Sequence, residues 1–263
     1  MSKKNSKHIR LLFLIPPLLL LLFSGYKVIS ILYQSYGAQQ DFSKLSNRYY
    51  QAGTNSDASE HDESEKAGGS VTILPQFNDL ISQNNDIGGW IRIEGTAVDY
   101  PVMYTPDEPQ KYLHKAFDGT YSIYGVPFVG AGCSLSPRSE NVVIYGHHMN
   151  DGTMFATLVN YAEKSYWEKH PVIEFSTLYE SHQYEIFAAV STDIQSAESI
   201  RCYSFINSAN EADFNSFIEG IHNAALYDTG VDVKYGDCLL TLSTCAYHTE
   251  NGRFVLIAKE LTY

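Results

Sequence analysis

The apolar and polar positions divide the chain into an apolar head, a polar stretch and a long region of short β-favouring runs. Apart from Arg10, residues 9–23 are apolar, and the run resumes over 28–33. A bilayer-spanning helix needs roughly 20 mostly apolar residues, a length reached here by accepting Ser24, Gly25, Tyr26 and Lys27 near the far end. Lys27 can snorkel outward, and Tyr26 and Tyr33 suit the headgroup zone. Pro16 and Pro17 kink such a helix without excluding it. Residues 41–50 suit a short helix. Residues 51–70 are rich in Ser, Asp, Glu and Gly, bury too little apolar surface to fold, and read as a flexible stalk. This divides the chain into a basic tail over 1–8, a membrane anchor over 9–33, a stalk over 34–71 and a folded domain over 72–263.

Within that domain Phe77, Leu80 and Ile81 have helical spacing, and residues 87–93 alternate as a strand with Trp90 toward the core. A second strand over 98–103 contains Pro101, which requires an edge or a bulge. Residues 112–117 read as a helical turn and 119–125 as a loop. The apolar run over 141–149 stops at Gly146-His147, and Met154, Phe155, Leu158 and Val159 mark an amphipathic helix after it. Strands are expected over 172–175 and 184–190, joined by a hairpin around Ser181-His182. Residues 191–208 are polar and irregular, and 211–226 are helical. The last two strands cover 238–243 and 254–258, separated by a polar loop that ends in Asn251-Gly252. Many short strands with scattered helices predict a mainly β fold, a closed or nearly closed sheet with helices outside it.

Charge sharpens the topology. Five of the 18 basic residues, Lys3, Lys4, Lys7, Arg10 and Lys27, precede the first acid, Asp41, which leaves 13 against all 30 acids. A basic flank ahead of the apolar run predicts a cytoplasmic N-terminus and an external domain at the cell membrane. A cleaved signal peptide is disfavoured because no small-x-small site follows Phe23, and Tyr36-Gly37-Ala38 puts a bulky residue where a small one belongs. The acidic external part excludes nucleic acid as a partner.

The chemistry gathers at strand ends. Cys245 closes one β run and Arg253 opens the next, so antiparallel pairing brings a thiol position and a guanidinium to one rim of the sheet. A cation that does not deprotonate favours a thiolate and stabilises an oxyanion developing on an attacked carbonyl. His147 ends another β run. Of the four cysteines, Cys133 and Cys202 are the expected pair if any disulfide forms. No Cys/His spacing suggests zinc and no acidic loop demands calcium, so neither metal nor cofactor is expected.

Thr241-Leu242-Ser243-Thr244-Cys245 followed by Arg253, the segment Tyr145-Gly146-His147-His148-Met149 with its Asp-Gly-Thr-Met-Phe continuation, and the Gly89-Trp90-Ile91-Arg92-Ile93 stretch together resemble class B sortases. The resemblance runs from about Asn85 to the C-terminus. It implies an eight-stranded sortase-type β-barrel with an N-terminal helical extension and a helix between the sixth and seventh strands. It also implies a membrane-anchored cysteine transpeptidase. The partners it implies are secreted proteins bearing a C-terminal sorting signal, with a peptidoglycan precursor or pilin amine as acceptor. Cys245 then attacks a Thr carbonyl, Arg253 stabilises the oxyanion and His147 acts as acid and base, while His148 stays outside the chemistry. Leu113, Tyr145, Ile200, Ser243 and Thr244 are implied to contact the signal. The chain departs from the pattern at Pro109, where some members carry Asn, and at Ala246, where some carry an acid. Two rival readings are a cysteine protease that delivers the thioester to water and an inactive anchored surface protein.

Overall fold

A computed structural model describes residues 3–57, 72–193, 202, 205–245 and 252–262. Helix α1 spans Lys3–Asp57. Contacts divide the chain into two compact units, Met1–Asp41 and Phe42–Tyr263. In the first, Leu18, Leu20, Leu22 and Phe23 are exposed; the helix stretch long and apolar enough to cross a membrane, Ile15–Thr54, starts there and runs past the end of that unit.

The second unit begins earlier than Thr72, because the helix goes on to bury an apolar stripe in it. Leu45 and Tyr49 are buried and Phe42 half-buried. They lie at the spacing that puts side chains on one helix face. Tyr49 stacks on Trp90 with ring centroids 4.5 Å apart, and Asp99 accepts hydrogen bonds from Ser46 (2.7 Å), Tyr50 (2.8 Å) and Trp90 (2.7 Å). A 3-10 turn, Pro75–Phe77, and helix α2, Asn78–Gln83, complete this side.

Eight strands close into a barrel: β1 Ile87–Arg92, β2 Asp99–Met103, β3 Phe128–Val129, β4 Asn141–Gly146, β5 Val172–Thr177, β6 Ser181–Asp193, β7 Leu239–Cys245 and β8 Gly252–Glu260. Their order around it is β1-β2-β3-β4-β7-β8-β6-β5. Pro101 fits because β2 meets β3 through the single pair Met103 with Phe128, leaving the proline without a ladder partner on that side. Strand β3 has no sequence signal, since two residues carry no period.

Helix α3 is the short Lys164–Trp167, and α4 spans Glu211–Ala224. The side chain of Asn210 caps α4 by accepting from the Asp213 N–H at 3.1 Å, and Glu211 and Asp213 complement its N-terminal dipole. Phe214, Phe217, Ile218 and Ile221 form its buried stripe and pack on Phe187, Val190, Leu239, Val255 and Ile257. Each such side chain contributes about 1.5–3 kcal/mol by leaving water.

Three local expectations need correction. Residues 112–117 are turns, not helix, because the chain folds back: Ala116 N–H donates to the Thr120 carbonyl and Ser122 N–H to the His114 carbonyl. The element after the histidine is a 3-10 helix, Phe155–Ala162, whose first N–H is taken by the His147 carbonyl. The β5–β6 turn lies at 178–180, where the Thr177 hydroxyl accepts from the N–H groups of Tyr179 and Glu180. Ser181 and His182 accordingly belong to β6. No disulfide joins Cys133 to Cys202: the Cys133 sulfur instead lies 3.4 Å from the donating N–H of Val143.

Candidate active site

Parallel pairing of β4 with β7 decides the position of the site. Tyr145 is in register with Ser243 and Gly146 with Thr244, so the C-terminal ends of both strands reach the same rim. Antiparallel pairing of β7 with β8 places Cys245 opposite Arg253. Cross-strand partners share a face and successive residues alternate. Tyr145, Ser243, the Cys245 position and Arg253 therefore belong to one face, the face that α4 covers farther along at Leu239, Val255 and Ile257. This is the outside of the barrel, and beyond the helix it opens into a cavity.

The cavity measures about 450 Å³ and is lined by Pro109, Gln110, Leu113, Phe128, Gly130, Ala131, Tyr145, Gly146, His147, Ser243, Thr244 and Arg253. Leu113, Tyr145, His147, Ser243, Thr244 and Arg253 all line this cavity, and the Cys245 position is beside Arg253 by register. Ile200 lies outside the described residues. Phe128, Gly130, Ala131 and Gln110 escaped the sequence reading, since they sit on loops and on the two-residue strand. Gly130 is needed there: a Cβ would come within 2.8 Å of the Tyr145 ring.

His147 is held by its backbone and its ring. Gly146 leaves room for Phe155, whose ring would lie 2.6 Å from an added Cβ, and the Phe155 N–H donates to the His147 carbonyl at 2.9 Å. The turn between them is tied by Asp151, which accepts from Thr153 N–H (3.1 Å) and hydroxyl (2.6 Å) and from the Tyr124 hydroxyl (2.8 Å). His148 bridges back to Met154 and does not line the cavity.

His147 Nε2 is 2.7 Å from the Leu113 carbonyl. A carbonyl only accepts, so Nε2 carries the hydrogen and Nδ1 is left for chemistry. Gly125, at φ +59°, backs this carbonyl so closely that a Cβ would lie 2.6 Å from it. Burial holds His147 below the usual imidazole range; the Leu113 bond opposes this, and His114, stacked on it at 5.5 Å, adds to the lowering.

Among the lining residues Arg253 carries the one fixed charge and no carboxylate is present, so the cavity favours an anion. Burial pushes the Tyr145 hydroxyl up to about 12, against the pull of Arg253, which keeps it a proton donor at neutral pH. The Ser243 and Thr244 hydroxyls are buried without a hydrogen-bond partner among the described residues. A buried hydroxyl left unmatched costs free energy that a bound polar group can recover. The arrangement suits acyl transfer: a nucleophile position, a cation beside it, an imidazole with one free nitrogen, and unsatisfied groups to hold an amide backbone.

Comparison with known proteins agrees. The family described as the sortase domain matches residues 91–261. The sortase B of Staphylococcus aureus is 29% identical over 242 residues, covering 91% of this chain and 91% of that protein. The sortase B of Listeria monocytogenes is 29% identical over 194 residues, 72% of this chain and 76% of its own length. The solved Staphylococcus aureus sortase B-substrate complex superposes with a TM-score of 0.74 at 28% identity, covering 88% of this chain and 99% of that one.

Proposed function

The chain belongs to the sortase family of cysteine transpeptidases, with its relatives in class B, and from that premise we propose its reaction and the residues that perform it. Cys245 as thiolate attacks the carbonyl carbon of a Thr in the C-terminal sorting signal of a secreted protein. The S–C bond forms, and Arg253 stabilises the oxyanion. The C–N bond then breaks as His147 gives its proton to the leaving nitrogen. An amine on peptidoglycan or on a pilin subunit attacks the thioester, His147 takes a proton from it, and the Cys245 thiolate leaves. The observation that carries this reading is the register of Cys245 with Arg253 on β8 and of its neighbour Thr244 with Gly146, next to His147, on β4.

Placement supports transfer over hydrolysis. We read residues 9–33 as an anchor with the basic tail inside the cell, supported by the apolar exposed helix, and the barrel as external. There, wall amines are held at high effective concentration near the thioester. Positioning the amine against the acyl-enzyme lets it compete with water.

The test uses the soluble unit from Phe42 onward with peptides bearing Thr-Gly and Thr-Asn signals, with and without amines, and product masses as readout. A joined product that grows with amine at the expense of hydrolysis supports transfer; hydrolysis untouched by any amine makes the protein a protease. Protease added to intact cells should digest the external part and leave the N-terminal anchor in the membrane fraction, while a mature protein starting near Gln39 in the medium would overturn the anchor.

A further inference from the structure

We propose that His114 is a second general base, one that takes the first proton from the acceptor's ammonium group so that the free amine can attack the thioester. The proposal rests on the amine-transfer reading above and adds to it a residue that no sequence signal marks.

The need comes from proton balance. A primary amine acceptor arrives at neutral pH mainly as R–NH3⁺, and an α-amine titrates near 7.7–8.0. The amide it becomes retains one N–H, so two protons must leave for each transfer. His147 is neutral after giving its proton to the first leaving group, and it accepts one. Its Nε2 is already committed to the Leu113 carbonyl, so Nδ1 is its single basic nitrogen and a second proton has no place on it. Arg253 is a permanent cation, and the Tyr145 hydroxyl is held protonated by burial. No carboxylate lines the cavity among the described residues.

His114 fills this gap by position. Its ring lies against that of His147, centroids 5.5 Å apart and planes 25° from parallel. Rings stacked at this distance border the same edge of the cavity that His147 lines, so a proton donor that reaches one is close to the other. His114 is exposed, and no hydrogen bond or ion pair engages its ring nitrogens among the described residues. The groups packed on it are His147 from the end of β4 and the exposed Tyr121 from the following loop, 6.4 Å away; its chain neighbour Lys115 is the nearest cation in sequence. The backbone that carries it is fixed, because the Ser122 N–H donates to its carbonyl at 3.0 Å. An imidazole is the side chain suited to exchanging a proton with water in the physiological range.

The steps balance. R–NH3⁺ gives a proton to His114, leaving R–NH2 and a His114 imidazolium. The amine nitrogen bonds to the thioester carbon, its second proton passes to His147 Nδ1, and the C–S bond breaks to release the Cys245 thiolate. The products are the amide, the thiolate and two imidazolium rings, with the net charge of +1 that the ammonium brought. His114 then discharges its proton to solvent, and the thiolate and His147 imidazolium stand ready for the next signal.

The experiment compares wild type with His114→Gln, using the Thr-containing peptide that the wild type cleaves and two acceptors: triglycine, an ammonium at neutral pH, and hydroxylamine, a weak base already largely unprotonated there. The readout is the ratio of joined to hydrolysed product, which cancels differences in the amount of active acyl-enzyme. For triglycine at neutral pH the ratio should fall up to about tenfold, the limit set by the roughly one-tenth of an α-amine that is already unprotonated there. It should recover as the pH is raised until triglycine is a free amine, and for hydroxylamine it should stay at the wild-type value. An unchanged triglycine ratio, or an equal loss with hydroxylamine, overturns the role of His114. A wild type that joins neither amine overturns the transfer reading itself, and is told apart because it shows in the unmutated protein.

Discussion

Replacing Tyr49 by Ala tests whether the helix that follows the apolar segment belongs to the catalytic unit. Tyr49 is buried, stacks on Trp90 with planes 13° apart, and meets Phe77 edge-on at 5.3 Å. Burial of a large side chain contributes about 1.5–3 kcal/mol, and the aromatic stack about 0.5–1.5 kcal/mol more. A loss of about 3 kcal/mol is expected, which in a domain of this size lowers Tm by about 6–12 °C. Calorimetry on the soluble unit from Phe42 onward reads it directly. Tyr49→Phe keeps the ring and the stack and should lose far less than Tyr49→Ala, and Trp90→Ala combined with Tyr49→Ala should lose less than the two apart, since the stack is removed only once. A Tm within 2 °C of wild type for Tyr49→Ala would refute the docking, and the stalk would then begin where the sequence placed it.

Three further outcomes are expected. Because burial lowers the His147 pKa, the neutral ring persists below the usual imidazole range, so the acid limb of amine transfer should lie below about pH 6.5; the same lowering contributes stability at higher pH that is lost as pH falls through that value, where the unfolded ring binds the proton first. Gly146→Ala should cost about 1–3 kcal/mol by driving a Cβ into Phe155, visible in denaturant unfolding, and the same substitution should cost less in a Phe155→Ala background. Arg253→Lys keeps the charge but not the planar fork and should lower cleavage rate strongly with Tm unchanged, whereas His148→Ala should leave cleavage near wild type in the assay that shows His147→Ala inactive.

Much of the candidate site was legible because the residues proposed for it sit at the ends of strands whose composition is unambiguous. Val142, Val143 and Ile144 are fully or nearly fully buried, as are Leu239, Leu240 and Leu242, and runs of this kind specify strands whatever their neighbours. Local chemistry also settled α4, through Asn210 and the four-residue stripe from Phe214 to Ile221. These are choices made within a few residues, where period and propensity act.

Which strands pair, and with what hand, was decided by the tertiary structure. Nothing near residues 141–146 indicates that β4 runs parallel to β7 a hundred residues later, yet that pairing puts His147 on the rim that Cys245 and Arg253 share. Residues 41–50 read only as a short helix; it takes Trp90 and Phe77 from other elements to make the stripe of Phe42, Leu45 and Tyr49 a buried face. His114 carried no signal at all: an exposed histidine in a loop gains a partner only when Gly125 lets the chain fold back against the Leu113 carbonyl and brings the ring onto His147. Sequence period encodes which way a side chain points, whereas contact across long separations depends on closing the barrel, and that closure is a property of the whole sheet.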